Sequence, residues 1–130
     1  MNEIFVQIIL DRFVKCLESY RYILLQREKN RRFIWKHTLS NEQIKEFLSK
    51  LTIYDYWTSE PSEIFQDSYV HKFFKEMTFS NKAGITETVI VHVKFELIEA
   101  SDLDEEDAER TVIISLHEAE QHAEYAFHKP

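Results

Sequence analysis

Three histidines, two lysines and a serine sit in short stretches of strand-like composition: His71 and Lys75 in SYVHKFFKEMT, His92 and Lys94 in TVIVHVKFEL, Ser115 and His117 in TVIISLH. Imidazole exchanges protons near neutral pH, whereas an ammonium group stays charged and can hold a phosphate. Cleaving RNA without a metal asks for that set: a base for the ribose 2′-OH, an acid for the leaving oxygen, and cations where negative charge builds. The same residues also read as the polar side of an ordinary solvated sheet.

Arg27, Lys29, Arg31 and Arg32 cluster in QREKNRR, a basic loop by pattern. It could contact phosphates, with Tyr22, Phe33 or Trp35 at hand for base stacking, or it could pair with the acidic stretch at 99–109. Trp35, Tyr54, Tyr56 and Trp57 otherwise read as core or groove lining. The run HEAEQH invites a zinc reading, but His122 comes five residues after His117 and Gln121 stands where the metalloprotease motif needs histidine. Five residues turn a helix by ~140° beyond one full turn, so the two imidazoles would diverge. No metal site and no cofactor are expected.

Positioning these groups falls to a recognisable set of elements. In Thr88–Leu97, Val89, Val91, Val93, Phe95 and Leu97 alternate with Ile90, His92, Lys94 and Glu96, the pattern of a half-buried strand. Residues 68–78 and 111–117 read as its neighbours, joined through SNKAG and through the acidic loop. Hairpins centred near residues 82 and 104 would bring His71 opposite Lys94, and Lys94 opposite Ile114 or Ser115. The open face would then gather His71, Lys75, His92, Lys94, Ser115 and His117, with Ile113 beside them.

Upstream, residues 3–19 place Ile4, Phe5, Ile8, Ile9, Phe13, Cys16 and Leu17 at helical spacing, and Tyr20–Leu25 reads as an edge strand. Ser40 and Gln43 form a capping-box pair ahead of a helix over 41–51. Phe33–His37 fits either helix or strand, and 52–67 reads as an ordered loop or a short helical turn. Tyr125 and Phe127 could pin back a polar tail. The fold class expected is α+β, with N-terminal helices packed on a small, mainly antiparallel sheet, in a single domain over 1–130.

Composition narrows the function classes. The chain of 130 residues carries 23 acids against 16 Lys and Arg, a net charge of −7, but seven of those acids fall in residues 99–109. The first fifty residues hold ten Lys and Arg against six acids. A basic segment and an acidic loop therefore coexist. The lone Cys16 excludes an internal disulfide framework, and no apolar run reaches the ~18 residues of a membrane span, so a cytoplasmic protein without membrane association is expected.

Four segments together resemble a known family. LTIYDY (51–56), FFKEM (73–77), VHVKFEL (91–97) and ISLHEAE (114–120) follow the order of L-T-x-x-D-Y, W-x-F-G-K, V-Y-I-K-x-K and I-S-F-H-E-A-E in small bacterial MqsR-type toxins, and Arg27-Glu28-Lys29-Asn30 is similar to their R-x-K-N. The chain differs in having His71 and Phe74 where Trp and Gly are expected, His92 for Tyr, and Ser59-Glu60-Pro61 for a Gly-Pro. The resemblance implies a RelE-like fold, an mRNA endoribonuclease acting on RNA free or on the ribosome, and an antitoxin protein as partner. It points at Lys29, Lys75, Lys94, Ser115 and His117. The competing expectation is a non-catalytic, phage- or plasmid-type interaction module acting through the acidic loop 99–109.

Overall fold

Each helix of the N-terminal half is started by a side chain that satisfies free backbone donors or by an extended residue that turns the chain inward. The computed structural model describes residues 1–80, 83–99 and 109–130. Asn2 caps α1 (Glu3–Glu18) by accepting from the Phe5 amide at 3.0 Å. Its buried face is Val6, Ile9, Leu10, Phe13, Cys16 and Leu17, while Ile4, Phe5 and Ile8, expected to face inward, lie in solvent. The first two turns are apolar nearly all round, so spacing alone could not decide which stripe meets the sheet.

β1 (Tyr22–Leu24) is a short edge strand, as expected, and runs parallel to β5 (Arg110–Glu118). The basic segment after it is not a loop. It forms α2 (Glu28–Lys36), which also takes in most of the ambiguous Phe33–His37. Only Asn30 and Phe33 of α2 are buried, too few to give the sequence a helical period. Asn30 ties the helix to the sheet: its Nδ2 donates to the carbonyls of Leu25 (3.0 Å) and Ile114 (2.9 Å), and its Oδ1 accepts from the Leu116 amide at 2.9 Å. One side-chain amide thus continues the β5 edge where β1 stops.

α3 (Asn41–Ser49) begins with the expected capping box, Gln43 N–H to Ser40 Oγ at 3.1 Å and Ser40 N–H to Gln43 Oε1 at 2.8 Å. A 3₁₀ turn at Ile53–Asp55 follows, capped by Thr52, and then β2 (Tyr56–Pro61). The middle of the 52–67 segment, read as an ordered loop or short helical turn, is thus an edge strand, paired antiparallel with β3 (Tyr69–Ser80). β3 pairs with β4 (Thr86–Ile98), and β4 with β5, giving the sheet order β1-β5-β4-β3-β2. The fold is α+β, with helices preceding a five-stranded, mainly antiparallel sheet. No helix among the described residues is long and apolar enough to cross a membrane.

The helix-side face of the sheet carries the core. Phe73, Val91, Val93, Phe95 and Ile113 are fully buried there, and Phe95 stacks on Phe13 of α1 with ring centroids 3.9 Å apart. Two register details decide what reaches the other face. The β3–β4 hairpin is centred on residue 83, half a residue beyond the centre that would pair His71 with Lys94, so Lys72 lies opposite Lys94. A one-residue slip exchanges faces along a whole strand, and it carries His71 and Lys75 to the helix side. In β5 an irregularity sets Ser115 opposite Lys94 but Ile113 opposite Phe95, so Ile113 enters the core while Ser115 and His117 stay on the open face. Residues 81–82 of the hairpin turn and 100–108 of the acidic loop lie outside the described residues. The tail returns across the sheet as expected: the Ala126 amide donates to the Tyr56 carbonyl at 2.9 Å, and Phe127 stacks on Tyr56.

Candidate functional site

Strand pairing sets His92 of β4 directly opposite His117 of β5, with ring centroids 5.6 Å apart and planes near perpendicular. One step along the same face, Lys94 lies between Ser115 of β5 and Lys72 of β3. Below the histidines, Phe74 stacks on His92 at 5.2 Å and is itself fully buried under Trp57 and Tyr125. Above them, Ser62 Oγ donates to the buried Glu96 carboxylate at 2.9 Å and pins the segment after β2 over the sheet. The open face is thus flanked by the segment after β2 on one side and by the tail on another.

Its electrostatics follow from partial burial and like charges. Burial above all, then the charges of His117, Lys72 and Lys94, push His92 down to about 4, with Glu120 opposing. At neutral pH His92 is uncharged. Its Nε2 is buried and has no hydrogen-bond partner among the described residues. His117 Nδ1 lies 2.9 Å from the Glu118 carbonyl; a carbonyl only accepts, so Nδ1 carries a hydrogen and donates it there. Lys94 is pushed below the usual ammonium range by burial, then by Lys72 and Arg27, against Glu60 and Glu63. Lys72 pairs with Glu60 at 2.9 Å and sits 5.3 Å over the Trp57 ring. Lys29 of α2 reaches Glu120 at 2.6 Å beside His117.

Of the residues singled out by sequence, His92, Lys94, Ser115 and His117 share this face, with Arg27 near enough to act on Lys94. His71 and Lys75 do not join them. His71 Nδ1 lies 2.7 Å from Ser59 Oγ, which lies 2.7 Å from the Tyr56 hydroxyl, and burial pushes this imidazole too down to about 4, with the Arg12 charge adding to it. Lys75 pairs with Asp55 at 3.4 Å on the helix side. Arg31 and Arg32 lie on the solvent side of α2, with Arg32 paired to Glu28.

Sequence reasoning missed Lys72 and Phe74 because of the hairpin register, and missed Glu60 because β2 carried no alternating pattern, while Trp57, expected as core or groove lining, packs on Phe74 here. No group of three or more His, Cys, Asp or Glu side chains among the described residues is arranged to hold a metal ion. Compared with known protein families, characterised proteins and solved structures, the chain matches none.

Two neighbouring imidazoles, one of them held neutral, beside two ammonium groups are side chains of the kinds that exchange protons and hold an anion.

Proposed function

We propose that this protein is the toxin of a toxin–antitoxin pair, similar to the MqsR-type, RelE-like toxins, and that it cuts single-stranded mRNA, free or on the ribosome, without a metal ion. The observation that carries the reading is the His92–His117 pair at 5.6 Å with Lys94 and Lys72 one step along the same face. Neutral His92 removes the proton from the ribose 2′-OH, and the 2′ oxygen bonds to the adjacent phosphorus. The bond from phosphorus to the 5′ oxygen breaks, and that oxygen takes a proton from the protonated form of His117. Lys94 and Lys72 hold the phosphoryl oxygens as charge accumulates on them, and Arg27 and Lys29 contact the flanking backbone. The products are a 2′,3′-cyclic phosphate and a 5′-hydroxyl end. A cytoplasmic location follows from this substrate.

An antitoxin would find an apolar surface to cover. Met1, Ile4, Phe5 and Ile8 form an exposed stripe on the first two turns of α1.

The test is induced expression in bacteria with total RNA mapped for new 5′ ends, wild type against a His92→Ala/His117→Ala variant. Growth arrest with new ends that vanish in the variant supports the reading. Soluble protein that causes neither arrest nor new ends sinks it and favours the alternative, an interaction module acting through residues 99–109, for which the concentration of seven acids in that segment speaks.

A further inference from the structure

The large apolar side chain with the highest exposure among the described residues is Trp35, at 84 %. It stands on the outward side of α2, opposite the buried Asn30 and Phe33, and the helix repeat sets Arg31 and Arg32 on either side of it. An indole left in water on a helix this polar adds nothing to folding, because it packs against no core. Its neighbours are not neutralised as a set: among the described residues Arg31 and Lys36 have no ion-pair partner, and Lys29 is paired only through the exposed Glu120.

This surface adjoins His117. Lys29, Arg32 and Lys36 line one side of a cavity of about 280 Å³, and His117 lies on its other side. Lys29 to Lys36 spans seven residues of helix, roughly 10 Å, or about three stacked nucleotides at ~3.4 Å each. An aromatic face interleaved with cations is the pattern that binds single-stranded nucleic acid, the base stacking on the ring and its phosphates meeting the charges beside it.

We propose that the outer face of α2 is a flanking-nucleotide subsite: a single RNA strand leaving the His92–His117 pair runs along Lys29, Arg32 and Lys36 and stacks a base on Trp35. The proposal rests on the reading of the open face as an RNA site, but it concerns binding and not cleavage. It makes affinity depend on strand length, since a strand too short to reach Trp35 gains nothing from it.

The experiment uses the full chain and 2′-O-methyl RNA, which lacks the attacking hydroxyl and so cannot be cut. Affinities are measured for oligonucleotides of about three and about ten nucleotides. Trp35→Ala is expected to weaken the longer one about tenfold and the shorter one hardly at all, with Trp35→Phe restoring most of the loss. In a Trp57→Phe background, the remaining Trp35 emission is expected to be quenched by the longer strand only. Equal affinity of wild type and Trp35→Ala for the longer strand overturns the subsite, as does quenching of Trp35 by a protein partner and not by RNA. Length-dependent binding through Trp35 by a protein that cuts no RNA would retain the subsite and reject the nuclease; cleavage that ignores Trp35 in both binding and rate would do the reverse.

Discussion

Two histidines of adjacent strands, His71 and His92, are both pushed down to about 4 by burial, yet they lie on opposite faces of the sheet and differ in what holds them. His71 faces the helices and ends a chain through Ser59 to the Tyr56 hydroxyl, each step 2.7 Å. His92 is on the open face, stacked on Phe74 and edge-on to His117, and its Nε2 has no partner among the described residues. The lesson is that a depressed pKa alone does not mark a reacting group. The same burial acts on a histidine tied through Nδ1 into a hydrogen-bonded chain at the helix-side face and on one that lies beside a second imidazole and whose buried Nε2 has no partner among the described residues.

The largest expected effect separates the two directly. His92→Ala should lower the rate of RNA cleavage by ~10²–10⁴ with little change in stability, whereas His71→Ala should leave cleavage nearly intact and cost ~2–3 kcal/mol in urea unfolding, because Ser59 loses its partner in a buried setting. Equal rate losses in both variants would erase the distinction between the faces.

Acid should act on both histidines alike. Each folded-state value lies near 4 against an ordinary 6.5, so the unfolded chain binds more protons in between, and stability falls as pH drops through that window. The loss is on the order of 3 kcal/mol per histidine once pH reaches the folded value, less for His92 to the extent that solvent screens it. Urea midpoints at pH 7 and near pH 4.5 measure it, and the His71→Ala/His92→Ala double variant should show a flatter dependence. An unchanged slope in that variant would show that neither site is held neutral by burial.

Asn30→Ala removes three hydrogen bonds at the β5 edge and is expected to cost ~2–3 kcal/mol, with Asn30→Asp recovering only the bond to the Leu116 amide. A loss this size confined to α2 and β5 in amide exchange would confirm that α2 is docked through that one side chain. The smallest effect is expected from Glu120→Gln. It frees Lys29 for phosphate and should raise affinity for uncuttable RNA about threefold at low salt, with the gain vanishing as salt rises.

Much of this arrangement was legible in the sequence, and what was not had local causes. Alternation in Thr88–Leu97 identified the central strand, the Ser40–Gln43 pair identified the start of α3, and Lys94 pairs with Ser115, one of the two partners expected for it. The resulting group of His92, Lys94, Ser115 and His117 is found on one face. The register of the β3–β4 hairpin was not legible, since a turn whose length is off by one residue moves its centre by half a residue and exchanges His71 for Lys72. β2 was hidden because its half-buried residues carry no period of two, and α2 because it is held by one polar side chain in place of an apolar stripe. The inward stripe of α1 was misjudged for the opposite reason, an excess of apolar residues. A sequence pattern reports burial, and it fails where burial is nearly uniform or nearly absent.

The most direct measurement incubates purified protein with end-labelled single-stranded RNA in the presence of a chelator and maps the product ends. Wild type and His71→Ala are expected to leave 2′,3′-cyclic phosphate and 5′-hydroxyl ends, while His92→Ala and His117→Ala leave the RNA whole. Undiminished cutting by the His92→Ala/His117→Ala variant, or no cutting by wild type of either free or ribosome-bound RNA, would contradict the assignment of the open face as the reacting one.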